Sequence, residues 1–283
     1  MSPIQVKAYV RPKSLEEAVE VLKREGPGAR VLAGGIDLVT TAPGAPVVLV
    51  DLADLGLSSI TARDGGLALG TMATLTEAIE HPAVTAYLGG VVTRMLRRVA
   101  SPLHRNLSTI GGALASARPW SDVIPLFLAL DATVTRFDGA ETQLPLAELY
   151  PVGQALEGAI LTRVDLPPPA PGARAAFWKF SRTGFDIALL NCACSVRLEA
   201  GRCTAARVVV GATPRLAAYV PAAEEQLIGK AFGDEAIDGA ARAAQAAEAV
   251  GDDRRASAAY RRELVTVGVK TCLRELLDDG KGE

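Results

Sequence analysis

The sequence predicts an α+β protein with two domains, at residues 1–170 and 171–283. Three observations support this prediction. An amphipathic helical pattern near the start is followed by two apolar strand patterns, which together indicate a small α/β layer. The stretch DLPPPAPGA, residues 165–173, holds four prolines in nine residues and marks the boundary. Strand patterns and then alanine-rich helical patterns fill the second half, as is typical of an α+β domain.

The first elements follow from capping residues and apolar spacing. SLEEAVEVLKREG predicts a helix that begins after Ser14, where Ser14 and Glu17 form a capping box, and that ends at Gly26. Strands are expected in ARVLAGG, before the first Gly-Gly pair, and in residues 46–55. This order, a helix followed by two strands, predicts the small α/β layer.

A hairpin and further helices are expected next. Residues 59–70 predict two strands joined by a turn at Asp64-Gly65, which explains the Gly-Gly pair at that position. Helices are predicted over 74–81, where Thr74 and Glu77 form a second capping box, and around 86–100. SDVIPLFLALDATVTRFDG predicts an apolar helix that leads into a strand.

The second half begins with strands and ends with helices. AAFWKFSRT and ALLNCACSVRLEAGRCTAARVVVGA predict strands, the last two of which are joined through Ala200-Gly201. Alanine-rich helices are predicted near residues 221–229, 235–250 and 257–278.

Composition excludes several classes of function. With 283 residues and a formal net charge of −2, bulk electrostatics do not direct this chain to nucleic acid or to an anionic membrane. The start lacks the apolar core of a secretory signal, and no apolar run reaches the length of a membrane-spanning helix. We therefore expect a cytoplasmic protein.

Cysteine and histidine are too sparse for the common metal sites. Cys192, Cys194, Cys203 and Cys272 lack C-x-x-C spacing, which supports neither a disulfide framework nor a zinc or iron–sulfur site. They are expected to be small buried apolar residues, with Cys192 and Cys194 on opposite faces of a strand. The two histidines, His81 and His104, form neither a metal site nor a catalytic triad together.

Two further Gly-Gly pairs, in RVLAGGIDLV and in RNLSTIGGALAS, raise the question of a phosphate ligand. Glycine pairs can aim successive N–H groups into one concavity that binds anions, and they let a ligand approach the main chain. The dinucleotide fingerprint G-x-G-x-x-G and the P-loop motif are both absent. The pattern alone leaves a phosphate ligand and two ordinary turns equally open.

The flanking residues resemble a known family. The stretch VASPLHRNLSTIGGALASARPWSDVIP, residues 99–125, contains Ser-Pro, Arg-Asn, Thr-Ile-Gly-Gly, Pro and Ser-Asp in that order. This order resembles a signature of the xanthine dehydrogenase and carbon monoxide dehydrogenase family of molybdenum hydroxylases. The signature belongs to the FAD-binding, or medium, subunits of that family. LAGGIDLV, residues 32–39, resembles the first signature of that family. FDIALLNCACSVRLEAG and DDRRASAAYRRELV resemble parts of its C-terminal domain, so the resemblance covers nearly the whole chain.

This resemblance implies a fold and a cofactor. The fold is a PCMH-type, vanillyl-alcohol-oxidase-like FAD-binding domain of two α+β subdomains, followed by a C-terminal domain of an antiparallel sheet with helices. The cofactor is FAD, with its pyrophosphate between the two glycine motifs, and neither a catalytic residue nor a metal ligand is implied. The implied cofactor-binding residues are Ala33, Gly34, Gly35, Ile36, Asp37, Thr109, Ile110, Gly111, Gly112, Ala113, Asp122 and Lys179.

Each implied residue has a role that its chemistry fits. Backbone N–H groups of the glycine motifs donate to phosphate oxygens, and Thr109 adds a hydroxyl. Asp122 is expected to accept a hydrogen bond from the ribityl chain or the flavin ring. Lys179 is expected near the pyrimidine edge of the ring, where a cation raises the flavin potential.

Structural alternatives stay open for four residues. Asp122 follows Ser121 at a predicted helix start and could only complement the helix dipole. Lys179 alternates with aromatic residues and could lie on the solvent face of a strand. Arg105 could pair with an acid at an interface, and Trp120 could serve packing or a subunit contact.

The sequence departs from the family at one position of the second motif. Ala113 stands where many relatives carry asparagine or serine, so a side-chain contact to the cofactor is lost there. Some relatives also carry a cysteine-bearing loop that holds an extra iron–sulfur cluster. Because the four cysteines here lie far from that position, we expect no cluster in this chain.

The family implies an oxidoreductase subunit that carries electrons and does not itself bind the substrate. Electrons pass from a molybdenum cofactor through two [2Fe–2S] clusters to FAD and then to an external acceptor. The expected partners are a small [2Fe–2S] subunit and a large molybdopterin subunit, in a heterotrimer that dimerises. Two alternatives are a self-contained flavin oxidase and a flavin-free scaffold subunit of the same complex.

Overall fold

The chain folds into two units, each built from several separate segments. The computed structural model describes residues 4–40, 45–150 and 156–278. The first unit takes in residues 1–83, 101–116 and 132–166, and the second takes in 84–100, 117–131 and 167–283. The proline-rich stretch begins where the chain leaves the first unit for the last time.

The described residues contain β-strands in the following order: β1 (Val6–Val10), β2 (Ala29–Leu32), β3 (Val47–Asp51), β4 (Ile60–Arg63), β5 (Gly66–Gly70), β6 (Thr133–Phe137), β7 (Glu141–Pro145), β8 (Ile160–Leu166), β9 (Ala173–Phe180), β10 (Leu190–Glu199), β11 (Arg202–Gly211) and β12 (Ala218–Tyr219).

The α-helices in the same residues are α1 (Leu15–Glu25), α2 (Ile36–Thr40), α3 (Leu75–Glu80), α4 (Pro82–Ala86), α5 (Val91–Leu96), α6 (Pro102–Arg105), α7 (Ile110–Ala115), α8 (Val123–Ala129), α9 (Leu146–Leu149), α10 (Pro221–Glu224), α11 (Asp234–Ala247) and α12 (Ala258–Asp278).

The first unit holds two sheets. The parallel sheet has the strand order β1-β3-β2, and the apolar face of α1 contributes to the same core as β3. The antiparallel sheet has the order β4-β5-β8-β6-β7, and its first hairpin turns at Asp64 and Gly65, both with positive φ. The predicted α/β layer and hairpin are therefore confirmed, whereas the edge strand β1 was not predicted.

Capping residues fix the starts of the predicted helices, with one difference. The box at α3 is complete, because the Thr74 hydroxyl accepts from the Glu77 N–H and the Glu77 carboxylate accepts from the Thr74 N–H. At α1 only half of the predicted box forms. Ser14 accepts from the Glu17 N–H at 3.2 Å, but the Glu17 carboxylate accepts from Lys13 instead.

The predicted helix over 86–100 is shorter than expected. α5 spans only Val91–Leu96, because the preceding residues Leu88, Gly89 and Gly90 have left-handed backbone angles that interrupt the helix. The helix near 221–229 is likewise short, since α10 ends at Glu224.

The second unit contains an antiparallel sheet of order β12-β11-β10-β9. Helices α11 and α12 pack on this sheet and share its core. The turn between β10 and β11 is Ala200-Gly201, as predicted. The expected C-terminal arrangement of an antiparallel sheet with helices is thus confirmed.

All four cysteines are buried and unbridged, but one expectation about them is wrong. Cys192 and Cys194 share a face of β10, because residues two apart on a strand point the same way. Their Sγ atoms lie 3.8 Å apart. The sulfur of Cys272, on α12, lies close to both.

Candidate functional site

The first glycine motif lies in the first unit, between the end of β2 and the start of α2. Gly34 packs directly on the main chain, since a Cβ at this position would overlap the carbonyl oxygen of Leu107. That contact brings the first motif against the segment that leads into the second. Gly35 has a φ of +74°, which favours glycine, and a Cβ there would meet only the Leu32 side chain at 3.4 Å.

Three backbone donors of this motif are available to a ligand. Within the described residues, the N–H groups of Gly34, Gly35 and Ile36 have no hydrogen-bond acceptor in the protein. All three residues are partly exposed, and Gly35 has the left-handed angle that is typical of anion-binding turns. The first motif therefore fits the phosphate groups of a dinucleotide. Ala33 and Asp37 flank these donors, with Asp37 in the first turn of α2.

The second glycine motif uses its backbone donors inside the protein. Thr109 is the N-cap of α7, and its hydroxyl accepts from the Gly112 N–H at 3.0 Å. The N–H of Ile110 donates to Ala73, that of Gly111 to Thr71, and that of Ala113 to the Thr109 carbonyl, at 2.8–2.9 Å. The donors that the sequence interpretation gave to the phosphates at this motif are thus already engaged.

Close packing explains why Gly111, the first glycine of the second motif, has no side chain. A Cβ at Gly111 would overlap Thr71 and would lie 2.8 Å from the Thr71 carbonyl oxygen. Real Cβ atoms do not approach backbone oxygens so closely, because repulsion rises steeply below van der Waals contact. Gly111 therefore lets α7 lie directly against the end of β5. The hydroxyl hydrogen of Thr109 is a further polar group that this motif can offer a ligand.

Asp122 and Lys179 form a buried ion pair in the second unit. The Lys179 Nζ donates to the Asp122 Oδ2 at 2.7 Å, and the two side chains are 3% and 4% exposed. The alternative that Lys179 lies on the solvent face of a strand is therefore wrong. Asp122 is the N-cap of α8, but its side chain caps no N–H group of that helix.

Two further residues, which the sequence analysis did not single out, hold this pair. The Nδ2 of Asn191 donates to the Asp122 Oδ1 and to the Ser121 carbonyl, both at 2.9 Å. Arg98 donates to the Lys179 carbonyl at 2.7 Å, and the Lys179 Nζ donates to the Arg98 carbonyl at 3.0 Å. The sequence does contain a signal for Asn191, because it is a single amide side chain within the apolar strand pattern ALLNCACS.

Opposing effects act on the Asp122 carboxyl. Burial raises its pKa above the usual range, while the charge of Lys179 and the hydrogen bonds from Lys179 and Asn191 lower it. The Oδ1 of Asn191 is itself buried and has no hydrogen-bond partner among the described residues. It faces Gly211, where a Cβ would overlap it. Gly211 thus leaves the space that the amide of Asn191 requires.

Trp120 has a packing role in the second unit. The guanidinium groups of Arg118 and Arg255 lie 5.8 and 5.6 Å from the centre of its ring. Cation–π contacts of this kind hold an aromatic side chain in place. This arrangement agrees with the packing alternative for Trp120.

Family models match both halves of the chain. Residues 3–169 match the FAD binding domain in molybdopterin dehydrogenase. The chain belongs to this family. Residues 175–276 match the CO dehydrogenase flavoprotein C-terminal domain, so that the two matches leave only residues 170–174 between them.

Several individual relatives match this chain over almost their full length. The chain is 31% identical to the 6-hydroxypseudooxynicotine dehydrogenase complex subunit alpha of Paenarthrobacter nicotinovorans, over 95% of this chain and 94% of the relative. It is 30% identical to the carbon monoxide dehydrogenase medium chain of Afipia carboxidovorans, over 92% of both. The structure matches a chain of carbon monoxide dehydrogenase from Hydrogenophaga pseudoflava with a TM-score of 0.89 at 29% identity, over 97% of this chain and 98% of that chain.

Membership of the family confirms four of the predictions. The fold class is the PCMH-type α+β arrangement with a C-terminal antiparallel sheet. The chain is an oxidoreductase subunit, its family is the one that the motifs resemble, and its cofactor is FAD. Among the described residues, no helix is long and apolar enough to cross a membrane. The roles of the individual site residues remain predictions.

Proposed function

We propose that this chain is the electron-exit subunit of a molybdenum hydroxylase. It takes electrons from a small [2Fe–2S] subunit and passes them to an external acceptor, in a heterotrimer with a large molybdopterin subunit that dimerises. The names of the relatives support this assignment, because they describe a medium chain and a subunit of a complex. The same names favour it over a self-contained flavin oxidase.

One observation carries the proposed position of FAD. The N–H groups of Gly34, Gly35 and Ile36 belong to partly exposed residues and have no acceptor within the described part of the chain. Successive donors around a left-handed glycine bind phosphate oxygens well, because their partial charges point into one concavity. We therefore place the pyrophosphate at the first motif, where the prediction had divided it between both motifs.

The second motif then shapes the site and supplies one hydroxyl. The N–H groups of Ile110 and Gly111 hold α7 against Ala73 and Thr71, in the turn that follows β5, which fixes the position of Thr109. The hydroxyl hydrogen of Thr109 is the group that this motif adds to the cofactor contacts. Bound FAD supplies a carrier that takes up electrons singly and releases them in pairs.

Lys179 and Asp122 retain a proposed role toward the flavin ring. A lysine ammonium has three N–H donors, and two of those of Lys179 go to Asp122 and to the Arg98 carbonyl. No described residue accepts from the third donor, which we assign to the ligand, and the buried pair holds the ammonium at a fixed position.

A backbone donor can be removed without changing the glycines. Ile36 is the first residue of α2, a position at which proline is tolerated. The variant Ile36→Pro therefore deletes one N–H group and keeps the helix, and it also restricts the backbone of the preceding residue, Gly35. A hydrogen bond to a charged group contributes about 1.5–3 kcal/mol. We expect the affinity for FAD, measured by flavin fluorescence titration, to fall about 10- to 100-fold.

The control for this experiment is Ile36→Val, which alters the side chain to a similar extent but keeps the N–H group. We expect it to bind FAD as the unaltered chain does. Equal affinities for Ile36→Pro and Ile36→Val, with both variants folded by circular dichroism, would show that this donor does not contact FAD. The pyrophosphate would then have to be placed elsewhere.

A further inference from the structure

Three of the four cysteines form a cluster in the core of the second unit. Cys192 and Cys194 lie on β10, and Cys272 reaches them from α12. Their sulfur atoms all lie within 4.8 Å of one another, and all three residues are fully buried. Thiolate sulfurs bound at ~2.3 Å to a common centre lie about 3.5–4 Å apart, so the cluster is close to the geometry of a three-sulfur site.

The surroundings of the cluster favour neutral groups. Its neighbours include the buried aliphatic residues Val210, Val269 and Leu273. Burial raises the pKa of the Cys194 and Cys272 thiols well above the usual range, and Glu224 and Glu275 raise it further. The thiols are therefore protonated at neutral pH, and their Sγ atoms make only weak contacts, such as that of Cys272 with the Cys192 carbonyl at 3.4 Å.

Charge decides which ligand such a cluster can take. Three thiolates around a monovalent or divalent ion leave one or two net negative charges in a dry core. The effective cost of burying an unpaired charge is several kcal/mol. Zinc also requires a fourth ligand in its structural sites. A trivalent thiophilic centre leaves no net charge and completes its coordination with three sulfurs.

We propose that Cys192, Cys194 and Cys272 form a capture site for trivalent arsenic. The reactant is uncharged arsenous acid, As(OH)3. Three As–O bonds break and three As–S bonds form, and the three thiol protons leave with the hydroxides as water. No electron is transferred, so the step requires no oxidant or reductant. The product is a neutral trithiolate in the apolar core.

Access to the cluster sets the rate of this reaction. The sulfurs are enclosed between β10 and α12, so arsenous acid enters only when α12 separates locally from the sheet. Capture is therefore slow, and its rate becomes independent of arsenite concentration when opening is limiting. Once formed, the trithiolate ties α12 to β10 and raises the resistance of the second unit to unfolding.

The chain contains its own matched control. Cys203 is also buried, but its Sγ donates to the Ala205 carbonyl at 3.2 Å, and it is outside the three-cysteine cluster. Cys203→Ala and Cys272→Ala each remove one buried sulfur from the same unit. Only the second removes a ligand of the proposed site.

The experiment is intact mass spectrometry, under native conditions, of the full chain after prolonged incubation with arsenite and desalting. We expect one adduct with the mass of one arsenic minus three hydrogens. The adduct forms equally in Cys203→Ala and is lost in Cys272→Ala and in Cys194→Ala. Circular dichroism of each variant verifies folding, and either of the two cluster variants suffices if the other does not fold.

Three results would overturn the proposal. The first is an unaltered chain that gains no arsenic, even after incubation a few degrees below its unfolding midpoint, where local opening is frequent. The second is an adduct that retains a hydroxyl and loses two hydrogens, since this means two-sulfur coordination. The third is equal loss of the adduct in Cys203→Ala, which means that binding does not depend on the cluster.

Discussion

At the scale of single residues, Asp122 and Lys179 form a buried ion pair in the second unit. The two charged groups lie 2.7 Å apart with almost no solvent contact. Asn191 donates a further hydrogen bond to Asp122, and Lys179 donates one to the Arg98 carbonyl. Forming a buried ion pair roughly balances desolvation against attraction. Removing only one partner leaves an unpaired charge in the core, which is much less favourable.

This asymmetry predicts the stability of variants of the pair. We expect Asp122→Asn and Lys179→Met each to lower the free energy of unfolding by about 3–5 kcal/mol. The double variant is expected to lose clearly less than the sum, because it buries no unpaired charge. Urea unfolding of the chain without cofactor measures all three values.

An exposed pair provides the control for this cycle. Arg182 and Asp186 form an ion pair at 2.9 Å in the same unit, with the arginine side chain 61% exposed. Solvent screens such pairs, so Asp186→Asn is expected to change the free energy of unfolding by less than about 1 kcal/mol. Strictly additive losses in the Asp122–Lys179 cycle would contradict the account of a coupled buried pair.

Sequence patterns identified some of these residues but not their contacts. Asp122 and Lys179 were singled out through a family resemblance, yet 57 positions separate them, and no local pattern shows that they pair. Likewise, the Gly34–Gly35 and Gly111–Gly112 pairs look alike in sequence. Only the structure distinguishes free donors at the first pair from engaged donors at the second, because that depends on which distant carbonyls lie nearby.

At the scale of elements, α7 shows how a short helix is fixed by its first turn. Thr109 caps it, and the Gly111 N–H donates to the Thr71 carbonyl. Six residues are too few to make a helix stable by itself, so these tertiary contacts define it. The absence of a side chain at Gly111 is what permits the close approach.

A matched pair of glycine variants tests this packing. Gly111→Ala forces a Cβ onto Thr71, and we expect it to lower the free energy of unfolding by about 1–3 kcal/mol. Gly112→Ala meets only the Thr109 hydroxyl, at 2.9 Å. The gain in helix propensity of up to ~1 kcal/mol offsets the weakened cap, so little net change is expected. Thermal and urea unfolding compare the two, and equal losses would refute the packing argument.

Strong local signals predicted elements well, and weak ones did not. The turn at Asp64-Gly65 and the complete capping box at Thr74 both lie where their residue types require them. The length of the helix predicted over 86–100 was overestimated because Leu88 has a left-handed backbone angle. Leucine rarely adopts such an angle, so the sequence does not indicate this interruption. The capping box at Ser14 is only half formed because the Glu17 carboxylate accepts from the Lys13 N–H and not from the Ser14 N–H.

At the scale of the whole molecule, the chain alternates between two units, and the predicted division at residue 170 describes only the last transition. The prolines of 165–173 signal that transition. Three of the earlier transitions between the units occur at Ala100, Ala117 and Asp131, which have left-handed backbone angles although they are not glycines. Such turns leave no mark in composition. Family models nevertheless meet near the predicted boundary, at residues 169 and 175.

This chain carries FAD, and its pyrophosphate is proposed to lie at the first glycine motif. The most direct measurement is the visible spectrum of the purified full chain after addition of FAD and desalting, with Ile36→Pro in parallel. We predict an oxidised-flavin spectrum close to one equivalent per chain, and a clearly smaller amount in the variant. A chain that is colourless both alone and when produced together with the proposed partner subunits would contradict the account.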